Sequence, residues 1–165
     1  MENLIESLVD IFGGLGKEIV VFIISMLPLL ELRGGLIAAS LLKLDFLPAY
    51  IISILGNVIP IPLVLLFLER IFNWLKKFKS MEKLIVKIEN KILSKKSQIE
   101  KYGYIGLLLF VGIPLPGTGA WTGSGLAVLL HLNRKKSFVA IMLGIIMSSI
   151  IMSVLSYGIL DKIIK

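Results

Sequence analysis

The sequence predicts an all-α integral membrane protein. Its plan is an inverted repeat of a re-entrant hairpin plus a transmembrane helix, joined by a basic amphipathic cytoplasmic helix. Three observations predict this. The 165 residues are 56% apolar with a mean hydropathy of +0.92, well above soluble averages. Two uncharged runs are long enough to span a bilayer. The chain also matches itself when shifted by 88 positions.

A chain of this length is read as a single membrane domain, 1–165. It has no cysteine and one histidine, His131, so disulfides, thiolate chemistry and a metal centre are not expected, and no cofactor is. The N-terminal stretch MENLIESLVD carries three acids and no basic n-region, so no signal peptide is read there.

A helix needs about 20 apolar residues to cross a bilayer. Phe46–Leu68 and Phe138–Leu160 are uncharged throughout and qualify. Pro60 and Pro62 are expected to break or kink the first, which membrane helices tolerate where neighbours satisfy the freed carbonyls. Residues 17–42 do not fit that template, being interrupted by Pro28, Glu31, Arg33 and the Gly34–Gly35 pair. Residues 104–132 are interrupted by Pro114, Pro116, Gly117, Gly119, Gly123 and Gly125. Each splits into arms too short to span, which reads as a re-entrant hairpin; the alternative is one kinked spanning helix.

The shift of 88 pairs Phe22 with Phe110, Leu27–Pro28 with Leu115–Pro116, Gly35 with Gly123 and Gly56 with Gly144. Ten identities fall in 35 aligned positions, and the Pro and Gly matches lie at the breaks. Repeat 1 then covers about 17–68 and repeat 2 about 104–160. A half that crosses once leaves its successor on the opposite side, which inverts the repeat, as in many secondary transporters. Charge gives an independent argument. The linker 69–101 holds ten Lys or Arg against four Glu, and the turn 133–136 reads Asn-Arg-Lys-Lys. The inverted plan puts both on one side, which the positive-inside rule makes cytoplasmic. Glu2, Glu6, Asp10, the Lys43–Asp45 turn and the Asp161–Lys165 tail fall on the other.

Within the linker, Ile71, Leu75, Phe78, Met81, Ile85, Ile88 and Ile92 recur every three or four residues with lysines between. That pattern suits a helix lying on anionic lipid with Trp74 near the headgroups, or a dimer-forming coiled coil. Nucleic acid is not an expected partner; a basic cytoplasmic face accounts for the net charge of +7. The expected partners are the bilayer, a substrate, and a second copy of the chain, because one copy has little protein to bury four short arms.

Glu31 and Arg33 are the only formal charges between Glu18 and Lys43. A charge at the membrane centre costs on the order of 3 kcal/mol by insertion scales. In an extended turn after Pro28 the two would point to the same side. Glu31 then reads as a proton-binding group, and Arg33 as a partner for an anion or as the group that sets the acidity of Glu31. The alternative is a permanent ion pair closing the tip. The second tip, IPLPGTGAWTGSG, has no charge. Its glycines let backbone N–H groups face a ligand, Thr118 and Thr122 add hydroxyls, and Trp121 can form an aromatic wall. Gly119 and Gly123 also fit a close-packing GxxxG spacing. Asn57, beside the Pro60–Pro62 break, either hydrogen-bonds the interrupted backbone or reaches a cavity. His131 reads as a surface residue.

The blocks ELRGG (31–35), GNVIPIP (56–62) and IPLPGTGAWTGSGLA (113–127) resemble those of the small multidrug export protein family. That family is similar, more distantly, to the DedA/VTT membrane proteins. The resemblance covers nearly the whole chain, although Leu36-Ile37-Ala38 stands where the family pattern often has a proline. It implies two facing hairpins and a transporter-like, non-enzymatic role in the inner membrane of a prokaryote. DedA-type relatives imply the movement of lipid carriers such as undecaprenyl phosphate, with proton coupling. The expected function is a secondary transporter or flippase for a small amphiphile or lipid phosphate, coupled through Glu31. The alternative is a non-transporting organiser that binds lipids or partners through its linker.

Overall fold

The computed structural model describes residues 16–159. The expectations for Glu2, Glu6, Asp10, Leu160 and the Asp161–Lys165 tail lie outside the described residues. Among the described residues every regular element is helical. The helices are α1 (Lys17–Met26), α2 (Glu31–Leu41), α3 (Phe46–Val58), α4 (Pro60–Leu75), α5 (Lys79–Leu93), α6 (Ser97–Gly112), α7 (Ala120–Leu129) and α8 (Arg134–Ser153). A π-helical stretch, Val154–Ile159, continues α8.

Proline stops the two entering arms in the same way. Leu27, before Pro28, leaves α1 in an extended conformation (φ −72°, ψ 136°), and Ile113, before Pro114, leaves α6 likewise (φ −84°, ψ 119°). A proline disfavours helical dihedrals in its predecessor, so each helix ends there. The structural counterpart of Leu27–Pro28 is thus Ile113–Pro114, two positions earlier than the shift of 88 requires. The gapless pairing with Leu115–Pro116 is corrected: the second tip carries two extra residues that an ungapped comparison cannot register.

Close helix crossings keep the shorter register. A Cβ on Gly56 of α3 would lie 2.6 Å from the Phe22 carbonyl oxygen of α1. One on Gly144 of α8 would lie 2.8 Å from the Leu108 carbonyl oxygen of α6. Phe22 therefore corresponds to Leu108, not Phe110. Beyond the tips the shift of 88 holds. Lys43 and His131 both adopt φ 52°, the left-handed conformation that ends many helices. Leu44 N–H donates to Ala39 O at 3.0 Å, and Leu132 N–H to Ala127 O at 2.9 Å. His131 is exposed at this cap.

Among the described residues two stretches are long and apolar enough to cross a membrane, Phe46–Leu75 and Arg134–Gly158. The prolines do not break the first, because Ile59 between α3 and α4 keeps helical dihedrals (φ −54°, ψ −43°). The helix runs on to Leu75 rather than ending at Leu68. Thirty residues rise about 45 Å, more than the ~30 Å of hydrocarbon, so Glu69 and Arg70 can clear the apolar layer. Leu47, Ile51, Leu55, Ile59 and Leu63 form an exposed stripe on one span; Val139, Leu143, Ile150 and Val154 form another on the second. Apolar surface on this scale marks an interaction with lipid or protein rather than water.

The linker is not one helix. Ile71 and Leu75 end α4, and α5 starts afresh at Lys79. A Lys76 Nζ–Glu89 Oε1 ion pair at 2.6 Å ties α5 back to the end of α4. A kink at Gly103 (φ 58°, ψ −132°) then redirects α6. The main core joins Ile61 and Leu65 of α4, Leu107 of α6, Leu126 of α7 and Ile141 and Ile145 of α8.

Candidate functional site

The two tips are bound to each other by the two charges, each in a separate way. Glu31 is 6% exposed and opens α2 with φ 52°. A left-handed, non-glycine residue costs on the order of 1 kcal/mol or more, and such strain clusters at functional sites. Its carboxylate accepts N–H bonds from Ala120 (3.1 Å) and Trp121 (3.0 Å), the first residues of α7. The first N–H groups of a helix lack intrahelical partners and carry partial positive charge. Glu31 therefore caps α7 from the opposite tip. Gly119 makes this approach feasible: a Cβ there would collide with the Glu31 carboxylate, and its dihedrals (φ 139°, ψ −175°) suit glycine.

Arg33, two residues on in α2, braces the second tip. Its Nη1 donates to Leu115 O (2.7 Å), and its Nη2 to Ile113 O (3.3 Å) and Thr118 Oγ1 (3.1 Å). The Thr118 hydroxyl bonds within the same loop, at 2.8 Å from Leu115 O. Prolines at 114 and 116 remove backbone donors, so the guanidinium and the hydroxyl supply them instead. Gly117 completes the turn at φ 78°.

Trp121 makes a third link, its indole N–H donating to the Met26 carbonyl at 3.1 Å. Met26 ends α1, where helix carbonyls lack partners. Trp121→Phe keeps an aromatic side chain but loses this bond and the volume of the pyrrole ring, so a loss of about 1 kcal/mol or more is expected, read as a lower thermal midpoint in detergent.

Several expectations need correction on these facts. Glu31 does not lie in an extended turn: its left-handed φ of 52° starts α2, and it and Arg33 line one cavity while bonding separate groups of the second tip. They are not a mutual ion pair either; among the described residues the ion pairs are Lys76–Glu89 and Lys96–Glu100. The glycine-rich tip's helix N–H groups are occupied by the protein's own carboxylate. Trp121 acts through its N–H on α1 rather than as a cavity wall. Asn57 is buried at 2% exposure, its Oδ1 has no hydrogen-bond partner, and it is not on the lining of the tip cavity. Gly34 lies against Leu30, Gly35 against Ser25 and Gly123 against Val111, all packing contacts.

A cavity of about 480 Å³ lies beside the junction. The first tip lines it with Pro28, Leu30, Glu31 and Arg33, and the second with Pro116, Gly117, Thr118 and Thr122. The linker helix α5 supplies Ile88, Lys91 and Ile92, and the turn after it Lys95, none of which the sequence marked as site residues. The one available signal was their spacing, apolar at 88 and 92 and basic at 91 and 95. No cluster of three or more His, Cys, Asp or Glu that could hold a metal is present among the described residues.

A family model described as "Putative small multi-drug export protein" matches residues 31–151. No curated protein and no solved structure matches the chain.

Proposed function

The chain belongs to this small multi-drug export family, and from that membership we propose a secondary transporter or flippase that works at the junction of the two tips. The two apolar spans fit the membrane setting of an exporter. In this reading α1–α2 and α6–α7 are re-entrant hairpins, inverted relative to each other. In support, α1, α2 and α7 hold 10 or 11 residues each, about 15 Å of rise, or half of a bilayer's hydrocarbon. The linker and the 133–136 turn are cytoplasmic.

The observation that carries the proposal is the cross-tip bonding of Glu31. A buried carboxylate held by two N–H groups of the opposite hairpin couples its charge to the closure of the tips. Ionised, it attracts the N-terminus of α7; protonated, it loses most of that attraction. Proton uptake would thus free the tips and open the adjoining cavity, whose substrate is a small amphiphile or lipid phosphate.

The test is flux in proteoliposomes, with undecaprenyl phosphate and the cationic drug ethidium as alternative cargo. Glu31→Gln should lose at least about tenfold in rate, as expected when a positioned proton-transfer group is removed. Its residual flux should no longer vary with pH. Wild-type flux with an unchanged pH profile in that variant removes proton coupling through Glu31. The organiser reading is less well supported, because α5 packs against α7, where a Gly125 Cβ would lie 3.2 Å from Ile92 Cδ1. The linker is thus joined to the tips rather than free to recruit partners alone.

A further inference from the structure

The geometry points to an oxyanion site between the linker and the tips, in which Lys91 of α5, Lys95 of the turn after it and Arg33 of α2 hold a phosphate-like group. The inference rests on the proposed transport role for its purpose, but not for its binding test.

Three cations line one cavity of about 480 Å³, within the size range of small-molecule sites. None forms an ion pair among the described residues, although Arg33 feels the nearby Glu31 carboxylate. Arg33 is held by two carbonyls and a hydroxyl, which orient the guanidinium without cancelling its charge. The lysines that do form ion pairs on the linker are Lys76 and Lys96. Glu31 is the one acid on the lining, and its two oxygens are engaged by Ala120 and Trp121. The formal charge facing the cavity is therefore positive even with Glu31 ionised.

The position of α5 is fixed by the fold. Lys91 lies in the last turn of α5 and Lys95 in the turn that follows its Ser94 cap, and both line the cavity. Ile88 and Ile92 form the neighbouring stripe and also line the cavity. The ion pair to Lys76 and the seat of Ile92 over Gly125 hold that side of α5 toward the tips. A fixed guanidinium and two mobile ammonium groups make a site for a multiply charged oxyanion. Thr122 adds a hydroxyl on the same wall. Pro28, Leu30, Ile88 and Ile92 give the remaining wall an apolar character that suits a chain attached to the anion. A cationic drug would meet three like charges on the lining.

The experiment uses the full-length protein in an uncharged detergent, with calorimetric titration of inorganic phosphate, dodecyl phosphate and dodecyltrimethylammonium. The phosphates should bind, with affinity falling as salt is added, and the ammonium amphiphile should not compete. Tighter binding of dodecyl phosphate than of inorganic phosphate identifies an amphiphile as the ligand; equal binding identifies a free anion. Both outcomes support the site. K91Q/K95Q should weaken phosphate binding by at least about tenfold, as loss of charge-assisted contacts implies. K83Q/K87Q, on exposed parts of α5, should bind as the parent does. Unchanged affinity in K91Q/K95Q, equal loss in K83Q/K87Q, or equal binding of the ammonium probe overturns the site. Binding that follows this pattern in a protein without flux would instead sink the transport reading and leave the anion site standing.

Discussion

Gly119→Ala is expected to undo the junction between the tips, lowering unfolding stability by on the order of 3 kcal/mol or more. Two costs add. Residue 119 holds dihedrals (φ 139°, ψ −175°) that are essentially restricted to glycine. The new methyl would also occupy the space of the Glu31 carboxylate, displacing it from both N–H groups of α7. A carboxylate left buried without donors is costlier than one never brought there. Thermal unfolding in detergent reads the loss, and three comparisons separate its parts. Gly117→Ala has φ 78° but no atom within reach of the new methyl, so it should cost only the conformational part, about 1–2 kcal/mol. Gly123→Ala meets the Cγ2 of Val111 at 2.7 Å, where a side chain can shift. In the double variant Gly119→Ala/Glu31→Ala the collision disappears, so its loss should be smaller than the sum of the single losses. A Gly119→Ala protein that melts with the wild type would mean Glu31 does not sit on this helix end.

Arg33→Lys is the second large effect. The substitution keeps the charge but replaces a planar fork with a single ammonium group. Three contacts, to Ile113 O, Leu115 O and Thr118 Oγ1, cannot all be met at once. A loss of about 1.5–3 kcal/mol is expected, the range for hydrogen bonds to charged groups. It should be local. Amide exchange at residues 115–119 should accelerate, whereas α8 should keep its protection, because stability is not uniform across a fold. Thr118→Val removes a member of the same network, so its effect and that of Arg33→Lys should be less than additive. Exchange in the second tip that is indifferent to residue 33 would show that the loop stands without the guanidinium.

The sequence makes the long apolar elements legible because their signal is local: an uncharged run from Phe46 or Phe138 needs no partner to be recognised. The turns after α2 and α7 are legible for a related reason. Ala39, Leu44, Ala127 and Leu132 recur at the spacing that their hydrogen bonds require. The tips are harder, since two extra residues before Gly119 shift the entering arm out of an ungapped register. The site was read halfway. Glu31 and Arg33 stand out by charge, but the groups they bind are backbone N–H and C=O, which no side-chain identity announces. Their separate bonds follow from a left-handed dihedral at Glu31, where the start of a helix replaces the extended turn that the prolines and glycines suggest. Lys91 and Lys95 could not be found by pattern alone, because the folding of α5 onto α7 is a long-range event and a lysine beside a cavity looks like any other lysine.

The near-contact of backbones at Gly56 and Gly144 sets how such a molecule can move. Packed helices ordinarily slide by small rotamer adjustments in the side chains between them. Where a carbonyl oxygen lies against a bare Cα, no such lubricating layer exists, and each entering arm must travel with the long helix it touches as one stiff strut. Any enlargement of the space between the tips would then be a tilt of one strut against the other, and the bonds of residues 31 and 33 are the latch that such a tilt must release.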